Sequence, residues 1–154
     1  AGFNLDATNV LGRMSKLGVT GYGQSDLDER VIALAAAQGR GFEGDAGAGA
    51  GIYFRSDHFP LAKRGVPMGY LASTGDYVDE PIAPRVAAAA EYRANRYHQA
   101  ADEWEPNWDY RGMIQDLEVV FQAGQALANS RDWPQWKPGS EFGPARTVSD
   151  AQRK

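Results

Sequence analysis

Apolar residues follow two rhythms along this chain. Phe3 and Leu5, then Leu17 and Val19, alternate with polar or small neighbours, the period of a half-buried strand. Ser25-Asp26-Leu27-Asp28 reads as a capping-box-like helix start, with acids at the positive end of the helix dipole. That helix runs through Val31, Ile32, Leu34 and Ala35 and stops at Gly39. Residues 41–51 are glycine-rich and predict a flexible loop, and Ile52-Tyr53-Phe54 leads from it to a short helical turn ending at Gly65. Val66 to Leu71 is the next strand, with Pro67 suited to a strand start or edge. An acidic, proline-containing loop over 76–84 precedes a helix from about Pro84 to about Asn95. The longest helix covers about 109–128, where Met113, Leu117, Val120, Phe121, Gly124 and Leu127 recur at three-to-four spacing and predict the buried face. Trp133, Pro134, Trp136 and Pro138 form an aromatic-proline wrap, and the polar tail that follows is expected to fray. Strands alternating with helices indicate an α/β layered domain.

Composition narrows the function. The 154 residues suffice for one domain, and 43% hydrophobic with 23% charged residues is a globular balance. A net charge of −4 without a basic block speaks against a nucleic-acid or anionic-membrane surface. No apolar run reaches the ~18 residues of a membrane span. Absence of cysteine removes disulfides, thiolate nucleophiles and cysteine zinc sites. With histidine only at positions 58 and 98, any metal site here leans on carboxylates.

Several residues are open to a chemical or a plain reading. Asp6 ends its strand, where open α/β sheets place their sites, and equally reads as a turn or cap aspartate. His98 has Asp102 four residues on, a carboxylate able to orient a metal-bound imidazole or simply to pair with a surface histidine. Asp57 and His58 are adjacent, and neighbours seldom point the same way, so bracing the turn before Phe59-Pro60 is the plainer role. Tyr97 offers a phenol to an anionic intermediate, or fills a gap. The glycine-rich stretch lacks the Gly-Lys-Ser/Thr ending of a phosphate cradle. No His-x-x-x-His or Gly-x-Ser-x-Gly occurs, so nucleophilic catalysis has no support.

Taken together, Asn4-Leu5-Asp6, Arg55-Ser56-Asp57-His58-Phe59-Pro60-Leu61-Ala62, Gly65-Val66-Pro67, Arg96-Tyr97-His98-Gln99 with Asp102-Glu103, and the Trp133 to Phe142 segment carry a resemblance. In order and spacing they resemble the second half of the co-catalytic zinc aminopeptidases, family twenty-eight of the metallopeptidases, over about residues 1–143. The resemblance implies a three-layer α/β/α domain with a mixed, mostly parallel sheet, a partial zinc-exopeptidase fold of the phosphorylase/hydrolase-like kind. It divides the chain into a C-terminal portion of a catalytic domain, 1–143, and a polar tail, 144–154. It implies Asp6 and His98 as terminal ligands of two different zincs, converging at one end of the sheet. Tyr97 becomes the group that polarises the scissile carbonyl, and Arg55, Ser56, Asp57, His58 and Asp102 become pocket or supporting residues.

The same family needs a His-x-Asp with the bridging aspartate, and a Glu-Glu pair with the general base, both ahead of the Asn-x-Asp strand. Five residues precede Asp6 and contain neither. The resemblance therefore implies a C-terminal half whose parent uses two zincs and a peptide substrate, and which alone binds no stoichiometric zinc and is inactive. It also implies that the missing N-terminal half is a partner, that the piece alone forms a homodimer, and that the parent is bacterial and periplasmic or secreted. Two alternatives keep the fold: a non-catalytic binding or receptor-like relative, and a single-zinc, glutaminyl-cyclase-like acyl transferase.

Overall fold

Alternating apolar residues build the centre of the sheet. In the computed structural model, which describes residues 1–6, 8–45 and 47–152, four strands run in the order β1-β4-β2-β3: β1 Gly2–Asn4, β2 Met14–Thr20, β3 Gly41–Glu43 and β4 Met68–Tyr77. β1 lies parallel to β4 and β3 parallel to β2, while the central β2–β4 pair is antiparallel. The result is an α/β fold around a mixed, mostly parallel sheet, as the alternation of elements predicts.

The helices are α1 Leu27–Ala37, a short α2 Phe59–Ala62, α3 Ile82–Asn95, α4 Arg111–Ala128 and α5 Gly143–Ala151. Leu17 and Val19 of β2 and Leu71 of β4 share one sheet face, where Val31 and Ala35 of α1 and Val119 and Ala123 of α4 close over them. Burying such side chains is worth roughly 1.5–3 kcal/mol each. The opposite face carries Lys16, Gly18, Thr20, Ala72 and Thr74, and Glu43 is held there by Lys16 at 3.7 Å and Thr74 at 3.3 Å. The pairing slips between Met14↔Tyr77 and Lys16↔Thr74, a bulge that adds one residue to β4. No helix among the described residues is long and apolar enough to cross a membrane.

Three local expectations are corrected. The buried face of α4 is Gly112, Asp116, Val119 and Ala123, and of the expected Met113–Leu127 stripe Val120 packs partly buried against the core. Leu117 is 42% and Phe121 66% exposed. Small size and charge pairing decide the matter. A Cβ at Gly112 would collide with the Gly12 carbonyl, so the helix approaches the chain there as only glycine permits. Asp116 is drawn inward by Arg40, whose guanidinium donates to it at 2.7 Å, to the Lys16 carbonyl at 2.7 Å and to Ser73 at 3.1 Å; Ser73 in turn donates to Asp116 at 2.7 Å.

The glycine-rich stretch is likewise not a free loop. Gly41–Glu43 adds a strand with Phe42 packed on the core, and the Asp45 carboxylate accepts the Gly21 amide at 2.7 Å. Residue 46 of that stretch lies outside the described residues. The expected frayed tail begins with α5, where buried Arg146 donates to the Pro134 carbonyl at 2.9 Å and sits over the Trp133 ring. Residues 153 and 154 of the tail lie outside the described residues.

Candidate functional site

Asp6 leaves β1 two residues beyond Asn4, and Asn4 is the register partner of Tyr70 on β4. Side chains two apart share a sheet face, so this pairing sets the Asp6 carboxylate near the Tyr70 phenol, which donates to Oδ2 at 3.5 Å. Tyr70 is the hub of the site. Burial foremost raises its pKa above the usual 10.0, with Asp6 and Tyr97 adding to the effect and the Ser56 hydroxyl opposing it. The phenol therefore stays protonated and able to donate at neutral pH.

The segment from Ile52 to Pro60 forms the wall behind Tyr70. Ile52–Arg55 is one turn of 3-10 helix, after which Ser56 donates to the Ile52 carbonyl at 2.9 Å and His58 caps α2. His58 is 1% exposed, lodged between the rings of Tyr53 at 4.4 Å and Tyr70 at 5.2 Å. Neither of its ring nitrogens has a hydrogen-bond partner. Burial lowers its pKa below the ordinary 6.5, against the nearby Asp57 charge, so the imidazole is neutral at pH 7. Arg55 and Asp57 are exposed on either side of half-buried Ser56. Asp57 and His58 do point apart, as adjacent residues usually do.

Tyr97 and His98 lie in the turn after α3. Arg96 anchors that turn, bonding Glu91 at 2.9 Å and Glu105 on the far side. His98 adopts φ 61°, a left-handed conformation that costs a non-glycine residue roughly 1–3 kcal/mol and that concentrates at functional positions. Its ring stacks on Tyr97 at 3.9 Å. Asp102 accepts a hydrogen bond from Tyr92 at 3.0 Å in place of the expected imidazole.

Around Tyr70 stand Asp6, Ser56 with His58, and at longer range Tyr97, from three separate stretches of chain, and His98 joins through its stack on Tyr97. Arg55, Asp57 and Asp102 stand outside this contact set. The sequence reading placed Tyr70 in a strand without giving it a role, because only the β1–β4 register shows that it meets Asp6. Tyr53, in a 3-10 turn, gains its place only through its contacts with His58 and Phe142, which the sequence does not reveal. Among the described residues, no group of three or more histidine, aspartate or glutamate side chains is close enough to hold a metal ion. Asp6 and His98 by themselves do not make a zinc site.

The arrangement can hold a carboxylate in a fixed orientation, present a second phenol beside it, and keep a neutral imidazole dry behind both. Residues 1–122 match the family described as Peptidase family M28. No curated protein and no solved structure matches the chain.

Proposed function

The chain belongs to peptidase family M28, a family of metallopeptidases, and from that premise we propose that it is the C-terminal portion of the catalytic domain of a two-zinc aminopeptidase. The carrying observation is the bond of Tyr70 to Asp6 at the carboxyl end of a parallel strand, with Tyr97, from a stretch ninety residues further on, near enough to influence the Tyr70 phenol electrostatically. In this reading Asp6 and His98 each contribute one ligand to a different zinc, which supplies Lewis acidity and an activated water when bound. The residues here do the rest on their side of the cleft: Tyr70 orients the Asp6 carboxylate, Tyr97 offers its phenol to the scissile carbonyl, and the loop from Arg55 to His58 bounds the substrate.

Two further features support a portion that is completed by other chain. β1 is an edge strand of three residues, and among the described residues no strand lies beside its outer edge. The uncharged face of α4 that carries Leu117, Phe121 and Gly124 points away from the core. Export and a bacterial origin belong to the same proposal.

The test compares the isolated 154-residue chain with the intact polypeptide that contains it, both loaded with zinc, on an aminoacyl anilide. The expected result is turnover from the intact protein only. Turnover by the contaminant-free isolated chain overturns the portion reading, and none from the intact protein overturns the aminopeptidase.

A further inference from the structure

The segment after α4 lies wholly beyond the family match, yet Trp136 and Phe142 tie it to the wall of the site. We infer that residues 133–146 form a strap that positions the loop carrying Ser56 and His58, with Phe142 and Trp136 as its positioning residues. This rests on the reading of that loop as a wall of the peptidase site.

The strap is first fixed to the body of the domain. The Asp26 amide donates to the Gln135 carbonyl at 3.1 Å and the Lys137 amide to the Gln24 carbonyl at 2.8 Å, bracketing a bridge between Ser25 and Trp136. Lys137 extends its ammonium to Glu29 at 2.5 Å and toward Asp28 at 3.5 Å, so the strap is also anchored at the start of α1. From this base two aromatic side chains reach the wall. Trp136 donates its indole N–H to the Gly65 carbonyl at 3.0 Å, at the far end of α2. Phe142 packs on Trp136 at 4.9 Å, on Tyr53 at 5.8 Å and on Phe59 at 6.2 Å, with Ala62 completing the cluster.

The wall is built to receive the strap. Gly65 has φ 81°, and a Cβ there would run into the backbone at Arg146, so strap and loop approach as closely as backbone can. Tyr53 is the link between strap and site. One side of its ring meets Phe142 and it also meets His58, which in turn meets Tyr70 beside Asp6. The line from Phe142 to the site carboxylate is therefore four side-chain contacts long, the first three among aromatic rings and the last a hydrogen bond to exposed Asp6. Such rings cannot shift without leaving unfilled space. Phe142 touches neither Asp6 nor Tyr97. Its role is to keep Tyr53, and through it His58, seated.

His58 itself reports on the strap. The chain holds two histidines, one buried behind Tyr70 and one exposed on the Tyr97 turn, so imidazole NMR of the full chain gives one probe of the wall and one internal control. The charged and titratable groups against the buried one are Asp57, Tyr53 and Tyr70. In Phe142→Ala the His58 resonances lose their ring-current shift and its titration moves up toward the ordinary 6.5, while His98 is unchanged. Exchange of the Ala62 and Gly65 amides accelerates roughly tenfold or more. Phe142→Leu restores most of both.

A folded Phe142→Ala with His58 and the two amides at their wild-type values overturns the inference. Should Phe142→Ala not fold, Trp136→Phe decides, since it keeps an aromatic ring while losing the bond to Gly65 and part of the indole's bulk. Faster Gly65 exchange with a displaced His58 supports the strap, and an unchanged pair overturns it. None of these readouts involves peptide cleavage, so the strap and the peptidase reading fail independently.

Discussion

Asp116→Ala tests how the core of this domain is held. The Asp116 carboxylate and the Arg40 guanidinium are each 2% exposed and bonded at 2.7 Å, with Ser73 and the Lys16 carbonyl satisfying further positions. Removing the carboxylate leaves a buried cation without its counter-ion and leaves Ser73 without its acceptor. Breaking a buried pair in this way costs about 3–5 kcal/mol. Domains of this class have about 5–15 kcal/mol in all, so the variant forfeits at least roughly a fifth of its stability. For a chain of this length that corresponds to a midpoint lower by roughly 6–20 °C.

The assay is urea unfolding followed by tryptophan fluorescence, with the slope checked so that a lower midpoint reads as lower stability. A companion variant, Arg40→Met with Ser73→Ala and Asp116→Leu, removes the three side-chain partners together and fills the space with apolar groups. It is expected near wild-type stability, because well-packed replacements avoid the desolvation cost that the pair only offsets. A loss below ~1 kcal/mol in Asp116→Ala refutes the reasoning. So does a companion as unstable as the single variant, since that would make the ion pair itself the source of stability.

Further outcomes follow from the surface and the site. Asp79 is held below the usual 3.8 by its bonds to Arg13, and Asp109 well below it, first by Arg111 and then by Arg85. Their contribution is fully present above the unfolded value of 3.8 and is lost as pH falls through the lowered folded values. Acid titration of the unfolding midpoint should show this limb, and Asp79→Asn with Asp109→Asn should flatten it. The isolated chain should self-associate through the uncovered α4 face and β1 edge, and Phe121→Glu should shift light scattering toward monomer with little change in unfolding midpoint; a wild-type monomer at high concentration contradicts this. In the intact protein, Tyr97→Phe should lower kcat more than it raises KM if the phenol acts on the transition state, and an unchanged kcat would assign Tyr97 to packing against Tyr92.

Most elements could be read from the periodicities, whereas their orientation often could not. The α4 pattern identifies a helix correctly and the wrong buried face. Hydropathy ranks Phe121 above Asp116, but Arg40 makes Asp116 an interior residue. Phe42 sat unseen among glycines because a three-residue edge strand has too few positions to alternate. α5 was hidden by its polar composition, since its hold on the domain comes from Arg146 and not from an apolar stripe. Asp6, Tyr97 and His98 enter as candidates through the resemblance. Tyr70 and Tyr53 do not, because the importance of Tyr70 comes from strand register and that of Tyr53 from a strap that begins eighty residues later.

The order of the sheet also sets a clock. β1 finds its partner only after residue 68 has been made, since Gly2 pairs with Met68 and Phe3 with Gly69. Closing so large a loop costs roughly 4 kcal/mol in chain entropy, against roughly 3 for the β2–β3 pairing, and β1 has three residues with which to repay it. Non-local pairing of this kind comes late in folding. By the same reasoning β1 is the first strand to open in the native state, and when it opens Asp6 departs with it. The carboxylate of the site is thus delivered by the last step of assembly, and amide exchange at Phe3 and Asn4 should measure how often the finished molecule briefly takes its site apart.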